Sequence, residues 1–68
     1  MEKIYQICFL FVNELEDIRM ATTFEAAVRL LTKHCQILEF DVVDGLAKEI
    51  PSKRYTRNEM GDIVVHTF

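Results

Sequence analysis

A chain of 68 residues, half of them hydrophobic and only three of them Gly or Pro, has the make-up of one small folded domain. Its net charge of −3, with no run of five like charges, argues against bulk attraction to nucleic acid or an anionic membrane. Lys3 precedes an apolar run broken by Gln6, with no small-residue cleavage site, and the run Ile7 to Val12 is too short to span a bilayer. The expectation is a single soluble, cytoplasmic domain over residues 1–68.

Lys3 to Val12 is rich in aromatic and β-branched residues and reads as a strand. Tyr5, Ile7, Phe9 and Phe11 fall on one face, and Ile4, Gln6, Cys8, Leu10 and Val12 on the other. Both faces are largely apolar, so this strand is expected to be central and covered on both sides. Asn13 to Asp17 is turn-like, and Ile18 to Ala21 alternates, which suggests a hairpin whose second strand runs into a helix. A short helix capped by Asn13 is the competing reading.

Thr22 to Cys35 reads as an amphipathic helix. Thr22 and Glu25 have the spacing of a capping box, and Phe24, Ala27, Val28, Leu30, Leu31 and Cys35 share one arc. Glu25, Arg29 and Lys33 lie on the opposite side, where water is expected. Ile37 to Val43 alternates, with Leu38, Phe40 and Val42 on one face and Glu39 and Asp41 on the other, which has Ile37 and Val43 at its ends. Asp44-Gly45 then predicts a two-residue hairpin turn, placing Asp41 opposite Lys48 and, less comfortably, Phe40 opposite Glu49. Leu46 to Ile50 is taken as a strand, with a single helical turn as the alternative. Residues 51–54 read as a loop, and Tyr55 to Asn58 with Ile63 to Phe68 as a terminal hairpin. The fold class expected is α+β: a small antiparallel sheet with one amphipathic helix packed on one face (β-β-α-β-β-β).

Few residues suggest chemistry, and no catalytic residue, metal or cofactor is expected. Ser52 has no histidine near it in sequence, as a nucleophile would require. Cys8 and Cys35 sit in apolar patterns without a CxxC pair and read as reduced, buried thiols. His34 and Cys35 are neighbours that would diverge on a helix, so with Cys8 and His66 they make a poor zinc set. Glu39 and Asp41 are about 7 Å apart on one strand face, a spacing usable in acid–base work, but a solvated charged face is the expected role. Gly45 and Gly61 are isolated and do not form a phosphate-cradling loop.

What remains points to binding. One helix covers one sheet face, which leaves Ile4, Cys8, Leu10 and Val12 as an apolar strip for association, either with a protein partner or in a homodimer. The acidic residues Glu14, Glu16, Asp17, Glu39, Asp41 and Asp44 form a second candidate surface. The expected function is a small non-enzymatic protein-binding module that regulates or inhibits a larger protein. A phage- or plasmid-encoded inhibitor of a host defence system, such as an anti-CRISPR protein, would be one instance. There, the acidic residues would cover a basic nucleic-acid channel. The alternative is a nucleic-acid-binding regulator that uses Lys53, Arg54 and Arg57 on phosphates and Tyr55 for stacking.

Overall fold

β3, Cys35–Val43, is the strand on which the others are assembled. The computed structural model describes residues 2–9 and 19–67. Among these, β1 (Glu2–Phe9) pairs with β3 along its whole length, and β5 (Lys53–Arg57) takes β3's other side. β2 (Arg19–Ala21) extends the sheet beyond β1, and β6 (Ile63–Thr67) extends it beyond β5. The order is β2-β1-β3-β5-β6, all antiparallel, with β4 (Leu46–Ala47) paired to the end of β3. One helix, α1 (Phe24–Leu30), packs on one face, giving a small α+β fold. The chain order is β-β-α-β-β-β-β: each of the six segments expected as strands, Leu46 to Ile50 among them, holds one, and the five-strand scheme counts one too few.

Local chemistry explains the punctuation. Asp44 and Gly45 both have positive φ (53° and 79°), as a tight two-residue hairpin turn requires. The register follows: Val43 opposes Leu46, and the Lys48 N–H donates to the Asp41 carbonyl at 2.9 Å. The second strand then stops at Ala47, short of the expected Ile50, so Phe40 never faces Glu49. At the terminal hairpin the Asn58 side chain accepts from the Met60 and Asp62 N–H groups. That closes the turn which Gly61, at φ 85°, completes. The hairpin starts earlier than expected: Lys53 and Arg54 are strand residues.

The helix is half the expected length. Thr23, not Thr22, is the N-cap, and its hydroxyl accepts from the Ala26 N–H at 3.2 Å. Leu31 leaves the helical region (ψ 118°), Thr32 closes a turn by bonding the His34 and Cys35 amides, and Cys35 belongs to β3. Arg57 replaces the missing turn, donating from Nε to the Leu31 carbonyl at 2.9 Å and from Nη1 to the Gly61 carbonyl at 2.6 Å. Helix end and hairpin turn are thereby tied through one side chain. Thr23→Ala is expected to lower stability by about 0.5–2 kcal/mol, whereas Thr22→Ala stays within about 0.5 kcal/mol. Urea denaturation of the two variants separates the caps.

The core lies between α1 and the sheet. Tyr5, Ile7, Cys35, Ile37 and Tyr55 meet Ala27 and Leu31, and Ile37 is wholly buried. Phe24 is wedged between two tyrosines, with ring centroids 5.8 Å from Tyr5 in an edge-on arrangement and 4.8 Å from Tyr55. Cys8 and Cys35 are both free thiols, and only Cys35 is buried. Leu30, expected on the buried arc, is exposed. No helix among the described residues is long and apolar enough to cross a membrane.

Candidate interaction surface

The phase of β3 decides which side chains each face presents. Cys35, Ile37 and Glu39 share the helix-facing side, so Gln36, Leu38, Phe40 and Val42 point the other way. The apolar half of this alternating strand is therefore the half that α1 leaves uncovered. Cross-strand pairing arranges the open face in rows. Ile4 sits beside Phe40, and the next row runs Met20, Gln6, Leu38, Arg54, His66. Beyond it lies Cys8, Gln36, Thr56, Val64. Ile4, Leu38, Phe40 and Val42 form an apolar patch at one end, each of them half-buried. A polar band flanks it: Arg54 donates to Gln36 at 3.4 Å, Gln36 contacts the Cys8 sulfur at 3.7 Å, and Thr56 bonds His66 at 3.1 Å.

The helix-facing side holds the polar cluster. Glu39 was expected on a solvated face, yet it is only 3 % exposed. Burying a carboxylate requires donors for its oxygens. Tyr55 supplies a hydroxyl at 2.8 Å to Oε1, Lys3 an ammonium at 3.0 Å to Oε2, and Ser52 a hydroxyl at 3.3 Å to Oε2. Lys3 also bonds Asp41 at 3.0 Å, across the pair that the register sets opposite one another. Ser52 anchors the end of β5 by donating its N–H to the Glu39 carbonyl at 2.8 Å, and its one hydroxyl proton is shared between that carbonyl and Oε2.

Burial pushes the Glu39 carboxyl up, but the hydrogen bonds from Tyr55 and Lys3 outweigh it and hold the group below its ordinary value. Tyr55 is pushed up to about 12, by burial first and then by its bond to Glu39. Tyr5 also rises, through burial and the nearby Glu39 charge. The hydrogen bonds to Asp41 and Glu39 raise Lys3 above the usual lysine range. With its donors turned inward on one carboxylate, the cluster's evident work is to lock β1, β3 and β5 together.

Each candidate residue can now be placed. Of the acidic set, Glu39 is buried, Asp41 is half-buried on Lys3, and Asp44 stands exposed in the turn; Glu14, Glu16 and Asp17 lie outside the described residues. The three described acids do not form one exposed surface. Of the association strip, Ile4 and Cys8 lie on the open face, and Leu10 and Val12 fall outside the described residues. The basic segment is split by the strand's own pleat: Lys53, Tyr55 and Arg57 share the helix-facing side and Arg54 the other. Tyr55 is buried and Arg57 is committed to two carbonyls, so neither is presented to a nucleobase or a phosphate.

Alternation conceals Leu38, Phe40 and Val42 as surface residues, because the apolar phase of a strand ordinarily faces inward. The signal available was Ile37, which shares the phase of Glu39. Among the described residues, no group of three or more His, Cys, Asp or Glu side chains is arranged to hold a metal ion. No family model, curated protein or solved structure matches the chain.

Proposed function

We propose that the chain is a small protein-binding module that docks a larger protein on the open face of its sheet and thereby regulates or inhibits it. The observation that supports this is the contiguous row of Ile4, Leu38, Phe40 and Val42, which no element among the described residues covers. An apolar centre with a polar rim is the anatomy of a protein interface, and Gln36, Arg54 and His66 supply the rim. Phe40 is the anchor, since buried aromatic residues carry much of the binding energy in such contacts. The partner suited to this face presents an apolar residue to Phe40 and a hydrogen-bond acceptor toward Arg54.

Occupying a surface is a regulatory or inhibitory mode of action, and it needs no reacting group. The nucleic-acid alternative loses its stacking residue with Tyr55 inside the core. Comparative capture from native lysate tests the open face. The wild-type bait is expected to retain a stoichiometric partner that Phe40→Glu and Leu38→Lys baits lose. The control Leu46→Lys, at a 75 % exposed apolar residue in a turn-flanking strand, should keep it. Retention of the same proteins by the Phe40→Glu bait would place the docking surface elsewhere.

A further inference from the structure

We propose that a second copy of this chain pairs with β6, edge to edge and antiparallel about a two-fold axis at Val65, making one continuous sheet. β6 is the last strand of the sheet, and among the described residues its outer edge has no neighbour. Exposed strand edges are normally blunted by lysines, proline, a bulge or shortness. β6 has none of these: its five residues are Ile-Val-Val-His-Thr, with Ile63 and Val64 each 36 % exposed and Val65 53 %. The opposite edge, β2, is three residues long and carries Arg19.

The hydrogen-bond pattern selects the occupant. The Asn58 N–H donates to the Asp62 carbonyl at 3.0 Å, so alternation sets Val64 and His66 as the residues bonded to β5. Ile63, Val65 and Thr67 therefore direct their N–H and C=O groups outward. That set is symmetric about Val65. Turning a second β6 antiparallel sets Val65 against its counterpart, and Ile63 against Thr67 in both directions. Every outward donor then meets an outward acceptor, an isologous contact in which one strand is its own complement. On the open face the same register places Val64 beside His66 of the second copy; on the other, the two Val65 side chains meet. No Asp, Glu, Lys or Arg lies in β6, so the pairing sets no like charges opposite one another. A single strand pair is a small interface, so the dimer is expected to be weak, with a dissociation constant in the micromolar range or above.

The test is sedimentation equilibrium from micromolar to millimolar protein, on the wild type and three variants, with circular dichroism to confirm folding. The wild-type mass is expected to rise from 8.0 kDa toward twice that value. Val65→Pro removes an outward N–H without touching the ladder to β5, and Val65→Lys sets two charges across the axis. Either is expected to weaken dimerisation about tenfold or more. If one variant does not fold, the other still decides. Phe40→Glu is expected to dimerise as the wild type does, which separates this contact from docking on the open face. A wild type that stays monomeric at millimolar concentration overturns the proposal. So does a dimer indifferent to both Val65 variants, or one lost in Phe40→Glu.

Discussion

Ile37→Ala is expected to leave the domain at or near its unfolding threshold at 25 °C. Ile37 has no exposed surface, and it lies on the central strand between Ile7 and Tyr55, its direct partners on β1 and β5. Removing three buried carbons there costs about 2–5 kcal/mol, the lost transfer energy together with the cavity. At 68 residues the total stability expected is about 3–10 kcal/mol, and small domains fall at the low end. Urea denaturation followed by circular dichroism reads the loss. With a slope of about 1 kcal/mol per molar urea, the midpoint should fall by about 2 M or more. Ile37→Val should move it by only about a third as much. A midpoint unchanged in Ile37→Ala would mean that the core does not centre on β3.

The second large effect is expected from Tyr55→Phe, which removes one oxygen and keeps the ring against Phe24. Glu39 then loses its shortest hydrogen bond while remaining buried, at a cost of about 1–3 kcal/mol. The pH profile makes the assignment specific. The folded pKa of Glu39 lies below the unfolded one, so its stabilisation is present above about 4.5 and disappears as pH falls through the lowered value. Tyr55 and Lys3 act at the other end. Their folded values lie above the unfolded ones, so their contribution is complete below about pH 10; that of Tyr55 disappears as pH rises toward 12, and that of Lys3 higher still. The wild type should therefore be flat between these limits and weaken on both sides. In Tyr55→Phe the acid limb moves to higher pH, because burial now opposes the charge of Glu39 with fewer donors, and the alkaline limb loses the Tyr55 contribution while that of Tyr5 remains. Thermal melts across pH 3–12 distinguish this from simple loss of packing, which would lower the curve evenly.

How far the sequence revealed these features depends on whether the signal was local. The Asp44-Gly45 turn was legible to the register, since both residues must take positive φ and the two-residue loop leaves no choice of pairing. The hairpin of β5 and β6 and the antiparallel sheet with one helix were legible for similar reasons, whereas the cover expected on both faces of β1 is met among the described residues on the helix side alone. Helix length was not. Thr22 and Thr23 offer nearly equivalent caps, and the end near Leu31 is fixed by Arg57, 26 residues away in the chain. The surface row Leu38, Phe40, Val42 was hidden by a rule that usually succeeds, that the apolar phase of an alternating strand faces inward. Here Tyr5, Ile7, Ile37 and Tyr55 claim the helix. Glu39 is carried inward with them and tolerated only because Tyr55, Lys3 and Ser52 converge on it. No window of residues 35–43 contains those donors.

β3 joins strands drawn from both ends of the chain: Ile4 meets Phe40, and Gln36 meets Thr56. During synthesis β1 therefore emerges more than thirty residues before the strand that pairs along its full length. Such long-range pairing is slow, because a large loop must close before any contact rewards it. Meanwhile, among the described residues made before β3, the strand that pairs with β1 is β2, over three residues. Residues 53–67, by contrast, form their hairpin locally, with a side-chain cap of its own at Asn58. The molecule's vulnerable period is thus the interval before β3 is complete, and a chain cut short anywhere within β3 would present β1 to its surroundings as an adhesive edge.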